Sequence, residues 1–184
     1  MLLNFTPFPV LTTERLTLRQ INIEDENEIF ALRSDERVNK FLDRPKANSI
    51  EDARKFIDKI NNGICNNEFV MWAITLKNTN KLIGTICYWN ISKEDDRAEI
   101  GYELNPGFQG KGIMQEAISK VIDFGFEIMK IETITAYPAA DNNRSVQLLK
   151  KNNFKRDLKL EHDSKEQLNN LVIYALTNKA SKKT

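Results

Sequence analysis

The chain has 184 residues, of which 41% are hydrophobic and 29% charged, and its formal net charge is +1 at pH 7. These values are typical of one globular domain with a substantial core. They give no global field that would attract nucleic acid or an anionic membrane, and no apolar run approaches the roughly 20 residues that span a bilayer. We therefore expect one domain over residues 1–184, with neither nucleic acid nor a membrane as a partner.

The N-terminus lacks the pattern of a signal peptide, and the two cysteines are too few for a disulfide framework. So few cysteines fit a reducing compartment, and we expect a cytoplasmic protein. No cluster resembles a zinc site, so we expect no metal. The single histidine, His162, has no nucleophile motif beside it and is expected to lie exposed near a hairpin turn.

The first third of the chain predicts a strand followed by two helices. Residues 14–21 (ERLTLRQI) alternate apolar and polar side chains, as a half-buried strand does. Residues 24–34 predict a short amphipathic helix. Ser49 and Asp52 form a capping-box pattern that opens the second helix, and Asn61-Asn62-Gly63 is expected to end it.

Three strands in a meander are predicted next. Residues 69–76 and 82–91 are apolar runs of strand length on either side of a polar turn. Residues 98–104 (AEIGYEL) alternate, which places Glu99, Gly101 and Glu103 on one face and the apolar side chains on the other.

The last third predicts helix, strand, helix and two strands. The helices cover residues 113–129 and 142–152, and Asn153 can supply a left-handed cap. The strands are residues 132–137, 154–160 and 171–177, after which residues 178–184 are expected to fray. The segment from 98 to 137 should form a parallel pair with a right-handed crossover. The fold class is α/β, with a mixed, mostly antiparallel central sheet of about seven strands and helices on both faces.

The stretch NPGFQGKGIMQEA places three glycines and Lys111 at the start of the third predicted helix. Such a helix end leaves unpaired amides that bind phosphate readily. The spacing fits neither the Walker A loop nor the dinucleotide fingerprint. From the loop alone, a phosphate site and a simple glycine turn both remain open.

Gln109-Gly110-Lys111-Gly112-Ile113-Met114 resembles the Q/R-x-x-G-x-G/A motif of the GNAT acetyltransferase superfamily. Asn142-Asn143-Arg144-Ser145, one helix and one strand later, resembles the family's N-x-x-S segment. The opening TTERLTLRQI and the pattern AEIGYELNPGFQGKGIMQEA are similar to the RimJ/RimL-like branch, which acetylates protein N-termini, including those of ribosomal proteins. The resemblance covers residues 11–177.

The resemblance implies a GNAT fold, a splayed parallel strand pair and acetyl-CoA as cosubstrate. The pyrophosphate would lie on the amides of residues 110–114, and the pantetheine arm on the free edge of residues 98–104. The implied cofactor-binding residues are Tyr102, Leu104, Gln109, Gly110, Lys111, Gly112, Ile113, Met114, Asn142 and Ser145.

Three positions depart from the family pattern. Met114 replaces a small residue, so its side chain must point away from the diphosphate. Leu149 stands where many members carry the tyrosine that protonates the thiolate. Asn153 replaces a helix-ending glycine.

The resemblance to acetyltransferases also indicates which catalytic groups to look for, namely a base for the amine and an acid for the thiolate. An α-amine with a pKa near 8 is roughly 10% neutral at pH 7, whereas a lysine amine is roughly 0.04% neutral, so an α-amine needs only a modest base. Glu99 is the candidate base and Glu103 a weaker one. Ser145 is the candidate acid for the thiolate. The structural alternatives are an ion-paired strand carboxylate for Glu99 and a helix-cap serine for Ser145.

The expected function is acetyl transfer to a primary amine, which is either a protein or peptide N-terminus or a small amine such as an amino acid, a polyamine or an antibiotic. A non-catalytic acyl-CoA-binding module and a different phosphate binder are the alternatives. Dimerisation is common in the family, so a homodimer stays open. The acceptor pocket is expected to involve residues 24–63 and the polar turn 161–170.

Overall fold

The computed structural model describes residues 1–42, 44–164 and 170–178. One eight-stranded sheet carries helices on both faces, in the strand order β1-β2-β3-β4-β5-β6-β8-β7. The strands are β1 (Leu11–Thr12), β2 (Leu16–Arg19), β3 (Val70–Leu76), β4 (Leu82–Ser92), β5 (Arg97–Leu104), β6 (Thr133–Ala136), β7 (Lys155–Arg156) and β8 (Tyr174–Thr177). The helices are α1 (Glu26–Ser34), α2 (Glu36–Asn39), α3 (Ile50–Cys65), α4 (Ile113–Asp123), α5 (Asn143–Lys151) and α6 (Leu158–Asp163).

The pairing confirms a mixed, mostly antiparallel sheet. Strands β1 to β5 pair antiparallel with their neighbours, β5 and β6 pair parallel, and β8 pairs antiparallel with both β6 and β7. Helix α4 makes the crossover between the parallel strands. The sheet has eight strands rather than about seven because the two-residue β1 adds an edge that its short sequence did not reveal.

Helix α3 begins as predicted and ends later than predicted. Ser49 and Asp52 form the reciprocal capping box. The helix then continues through Gly63 to Cys65, so the prediction that Asn61-Asn62-Gly63 ends it is wrong. A Cβ on Gly63 would lie 2.3 Å from the ring of Phe69, so the glycine serves close packing inside the helix and not its termination.

Helix α4 also has a packing irregularity at its end. It passes into a π-helical segment, Phe124–Ile128, within the range predicted as one helix. Tyr88 of β4 donates a hydrogen bond to the carbonyl oxygen of Val121 at 2.9 Å, and a Cβ on Gly125 would lie 2.5 Å from the Tyr88 hydroxyl. The aromatic side chain therefore lies directly under this helix and ties it to the sheet.

The prediction of a strand over residues 154–160 is largely wrong. Only Lys155–Arg156 pairs in the sheet, and Asp157 then caps α6 by accepting bonds from the amides of Lys159 and Leu160. A capping carboxylate before a short polar segment outweighs its weak strand alternation. Asn153 adopts the left-handed conformation as predicted, with φ of 64°.

The C-terminal predictions are only partly covered by the described residues. Strand β8 is shorter than the predicted residues 171–177, with Leu171 making an isolated bridge to Ala139. The amide of Asn178 donates to the carbonyl oxygen of Glu132 at 2.8 Å, so this residue is held on the sheet rather than frayed. Residues 165–169 of the predicted polar turn and residues 179–184 lie outside the described ranges.

Within the described ranges, no helix is both long and apolar enough to traverse a lipid bilayer.

Candidate active site

The sheet opens at the parallel strand pair. Strands β5 and β6 pair from Arg97 opposite Thr133 to Glu99 opposite Thr135. Strand β6 then ends at Ala136, whereas β5 continues to Leu104 with β4 as its neighbour. Among the described residues, the last half of β5 therefore has no strand beside it on the β6 side, and we call the space next to this free edge the cleft.

The backbone of β5 presents alternate residues to this cleft. The amide of Asn105 donates to the carbonyl oxygen of Ile83, which follows the first residue of β4, and Thr135 Oγ1 of β6 donates to the carbonyl oxygen of Ala98 at 3.4 Å. Because backbone polar groups of successive strand residues point to opposite sides, Tyr102 and Leu104 direct theirs into the cleft, like Ala98. The Gln109 amide donates to the Leu104 carbonyl at 3.0 Å, which still leaves that oxygen a second lone pair.

The glycine loop joins this free edge to α4. Gly110 and Gly112 have φ of 75° and 74°, a left-handed conformation that glycine adopts without strain. Gly112 is the N-cap of α4, and as a glycine it has no side chain to accept a bond from the first amides of the helix. The position of a Cβ on Gly110 has no atom within 4 Å, so a ligand can approach these amides closely.

The side chains around the loop leave its amides accessible. Ile113 and Met114 are 4% and 9% exposed and point into the core, so the unusual Met114 does not obstruct the loop. Lys111 is exposed, and its Nζ donates to the carbonyl oxygen of Gly107 at 2.8 Å. Arg144 of α5 donates to Gln109 Oε1 at 2.7 Å, which adds a second cation beside the loop. In the sequence, Arg144 stands out only as part of the segment Asn142-Asn143-Arg144-Ser145.

Arg15 is a loop contact that the sequence analysis did not anticipate. Its Nε donates to Glu116 Oε2 at 2.6 Å and its Nη1 to the Lys111 carbonyl at 3.1 Å. Glu116 also accepts from the Arg15 amide and from the Thr13 hydroxyl. The segment that leads into β2 thus holds both the loop and the first turn of α4. Arg15 was visible only as a polar residue of a strand, because its partners lie about a hundred residues away in the chain.

Tyr102 and Ser145 meet across the cleft. The Tyr102 hydroxyl and Ser145 Oγ are 2.8 Å apart, and burial raises the pKa of Tyr102 to about 12. The phenol therefore stays protonated at neutral pH. Asn142 is the N-cap of α5, and its Oδ1 accepts from the Ser145 amide at 3.2 Å. Leu149 is fully buried in the core, so this position presents no side chain to the cleft.

The two carboxylates of β5 lie on the opposite face of the sheet. Tyr102 is opposite Ile86 and Ile100 is opposite Tyr88, and Tyr88 bonds to α4, so the apolar side chains of β5 face α4. Glu99, Gly101 and Glu103 consequently face the other way.

The environments of the two carboxylates differ. Glu99 is partly exposed beside the point where β5 and β6 separate, and its Oε2 accepts from Asn90 Nδ2 at 2.9 Å. Glu103 is 8% exposed and forms an ion pair with Arg44 at 2.5 Å. Glu103 is therefore ion-paired and largely buried, whereas Glu99 is partly exposed beside the point where β5 and β6 separate.

The remaining reactive groups do not form a second centre. Burial raises the pKa of the Cys87 thiol to about 12, so it is not a nucleophile. His162 is exposed, as predicted, and lies on α6 in the connection between the antiparallel strands β7 and β8. Over the described part of the chain, His, Cys, Asp and Glu side chains form no group of three or more that could hold a metal ion.

Comparison with known proteins agrees with this geometry. The model of the acetyltransferase (GNAT) domain family matches residues 15–155. The uncharacterized N-acetyltransferase YoaA of Bacillus subtilis (strain 168) is 36% identical over 150 residues, which cover 82% of this chain and 85% of that protein.

Solved structures share the fold. The ribosomal L7/L12 alpha-N-protein acetyltransferase RimL in complex with coenzyme A has a TM-score of 0.78 at 20% identity and covers 92% of this chain and 98% of its own. The microcin C7 self immunity acetyltransferase MccE, in complex with acetyl-CoA and AMP, has a TM-score of 0.75 at 24% identity. The match covers 90% of this chain and 94% of the MccE chain. The eight-stranded mixed sheet, the splay beyond Glu99 and the family match together show that this chain belongs to the GNAT acetyltransferase family.

Proposed function

We propose that this protein transfers the acetyl group of acetyl-CoA to a primary amine, with the N-terminal α-amine of a protein or peptide as the first acceptor. The observation that carries the proposal is the free edge of β5, which leads from the strand splay directly into the left-handed glycines at the start of α4. An extended amide chain that ends in a pyrophosphate fits such an edge followed by such a helix end.

The residues around the cleft fit acetyl-CoA as cosubstrate. The backbone of Tyr102 and Leu104 would bond the pantetheine arm, and the amides of residues 110–114 would bond the pyrophosphate. Lys111 and Gln109 flank these amides, and Asn142 retains its side-chain NH₂ for donation, since its Oδ1 caps α5. Acetyl-CoA supplies an activated thioester, whose acyl carbon an amine can attack.

The proton donor is the hydroxyl pair. Ser145 Oγ lies in the cleft with the Tyr102 hydroxyl 2.8 Å behind it. The raised pKa of Tyr102 keeps a proton available at neutral pH, and a thiolate that leaves beside Ser145 can take it through this pair. This arrangement substitutes for the tyrosine that is absent at Leu149.

Glu99 is the proposed base. It lies at the splay on the face opposite Tyr102, so an amine that approaches from that face meets the carboxylate before it reaches the cleft. The base takes the amine's proton directly or through water. An α-amine is roughly 10% neutral at pH 7 and needs only this modest help.

A small-molecule amine is the second candidate acceptor. RimL, a neighbour of similar fold, is described as a protein α-N-acetyltransferase, whereas MccE, another, is described in complex with acetyl-CoA and the small molecule AMP. A cytoplasmic location and a homodimer stay predictions, and sedimentation of the purified protein tests the second.

The direct test is incubation with acetyl-CoA and a panel of amines, with free thiol as the readout. The panel contains peptides with free α-amines, the same peptides with blocked α-amines and a free lysine, and small amines. We expect thiol release with free α-amines and little with the lysine-only peptides. Tight CoA binding without thiol release for any amine would contradict the proposal and favour the CoA-binding module. Competition by ATP or NAD but not by CoA would indicate a different phosphate ligand.

A further inference from the structure

A cluster of cations lies on the same face of the sheet as Glu99. Arg44, in the segment between α2 and α3, reaches Glu103 of β5 at 2.5 Å, and Thr85 Oγ1 lies 3.2 Å from the other oxygen of that carboxylate. The single negative charge of Glu103 is therefore taken up by Arg44. A further cation beside this pair makes no ion pair or hydrogen bond with Glu103.

Arg33 is such a further cation. It lies in the last turn of α1, is partly buried, and holds its guanidinium 4.0 Å from the centre of the Phe56 ring. It makes no ion pair or side-chain hydrogen bond with any residue in the described ranges. Burial, and secondly the positive charge of Arg44, lower the pKa of Arg33, and Glu103 opposes the shift. A partly buried guanidinium without an anionic partner among the described residues is poorly compensated for its loss of water.

A cavity of about 280 Å³ opens beside Arg33. Its lining comprises Arg33, Pro45, Lys46, Ala47, Asn48 and Asp52. Asp52 makes no ion pair with Arg33, and its carboxylate accepts bonds from the amides of Asn48 and Ser49 in the capping box of α3. Among the described residues, the ion-pair partner of Lys46 is Glu36, which is 86% exposed, at 3.2 Å, and such a surface pair is weak. The lining thus contains two cations that can turn to an added anion and one carboxylate that is bonded to backbone amides.

We propose that Arg33, together with Lys46, binds a carboxylate or phosphate group carried by the amine acceptor. Stacking on Phe56 fixes the plane of the guanidinium and leaves its edge free for two parallel N–H···O bonds, a geometry that matches either anion. The site lies on the face from which the acceptor reaches Glu99, beyond the ion pair of Glu103. This inference rests on the proposed acetyl transfer and adds the charge of the acceptor to it.

The binding test uses simple anions. Malonate and inorganic phosphate are titrated calorimetrically into protein saturated with CoA, so that the glycine loop is already occupied. We expect both anions, or one of them, to bind wild type, and Arg33→Met to weaken that binding at least tenfold. The matched control is Arg54→Met on α3, which removes the same charge from an exposed pair with Glu26 and should bind like wild type. Equal anion binding by wild type and Arg33→Met, or none by wild type, would overturn the site.

The kinetic test uses matched acceptors: ethanolamine against phosphoethanolamine, and β-alaninamide against β-alanine. In wild type, we expect the member that carries the phosphate or carboxylate to have the lower KM in at least one pair. Arg33→Met should raise that KM about tenfold, without a comparable change for the member that lacks the anionic group. The pair that responds identifies phosphate or carboxylate as the anion. If no amine is acetylated, the proposed function fails, and the calorimetric result still decides the site.

Stability separates binding from a packing role. Methionine retains the apolar contact with Phe56 and removes the poorly solvated charge, so Arg33→Met should melt at or above the wild-type temperature. A marked fall in melting temperature, with unchanged anion affinity, would make Arg33 a structural residue and overturn the proposal.

Discussion

Tyr102 and Ser145 come from β5 and α5 and meet at 2.8 Å in the cleft. Ser145 could be singled out from the sequence because it belongs to a recognisable segment. The role of the Tyr102 hydroxyl could not, because alternation along the strand indicates only that its side chain faces the core. Its contact depends on how α5 packs over β5, which is a tertiary property.

Removal of either hydroxyl should slow acetyl transfer. We expect Tyr102→Phe and Ser145→Ala each to lower kcat about tenfold or more, with the KM for acetyl-CoA changed less than about threefold. The double variant should be little worse than the slower single variant, since the two groups act in one relay. Steady-state kinetics with thermal melts as a folding control measures this. Fully multiplicative losses would show that the hydroxyls act separately.

Glu99 has a prediction of its own. Glu99→Gln keeps the shape of the side chain and removes its basicity, so kcat should fall at least about tenfold at pH 7 while the Kd for CoA stays unchanged. Glu94→Gln, in the exposed turn before β5, is the matched control and should match wild type. If Glu99→Gln turns over like wild type, Glu99 is not the base.

At the scale of elements, Arg15, just before β2, braces the glycine loop together with Glu116. Arg15→Met should raise the Kd for CoA several-fold, because the Lys111 carbonyl and the first turn of α4 lose a shared partner. The melting temperature should change little, since Arg15 is half exposed and such pairs contribute modestly. Calorimetry on Arg15→Met, with the remote Arg37→Met as control, tests this. Equal CoA affinity in the two variants would show that the brace has no role in binding.

The elements differ in how far the sequence predicted them. The capping box of Ser49 and the left-handed Asn153 were predicted correctly because both depend on local chemistry. Gly63 was misinterpreted because its role is to admit the ring of Phe69, a contact that local patterns do not contain. Residues 154–160 were misassigned because short polar segments have weak preferences, and the cap at Asp157 decides the outcome.

At the scale of the whole molecule, the stability of the folded state should fall at acidic pH. Hydrogen bonds and ion pairs lower the pKa of Glu26, Asp35, Asp52, Glu116 and Glu161, that of Asp35 from 3.8 to about 2. Carboxylates with lowered folded-state pKa values stabilise the fold above their unfolded pKa, and this contribution is lost as pH falls through the folded value. The melting temperature should therefore drop from about pH 4.5 to about pH 2. Calorimetric melts across that range measure it, and a constant melting temperature would contradict the assignment.

The cofactor side of the molecule was more predictable than the acceptor side. Glycines, a helix start and a capping asparagine leave a sequence pattern, because coenzyme binding relies on backbone groups at fixed spacing. The proposed acceptor side involves Arg33, Arg44 and Glu103, which three separate segments bring together. No periodicity or motif connects these positions, so only the folded chain reveals the cluster.

The central claim is that the glycine loop holds a coenzyme pyrophosphate, and calorimetric titration with CoA tests it most directly. We expect wild type to bind CoA and Gly110→Val to bind at least about tenfold more weakly, because a β-branched residue at φ of 75° must shift the loop. Gly107→Ala, in the same loop and without a left-handed φ, should bind like wild type. The absence of CoA binding by wild type, or equal affinity in Gly110→Val, would contradict the claim.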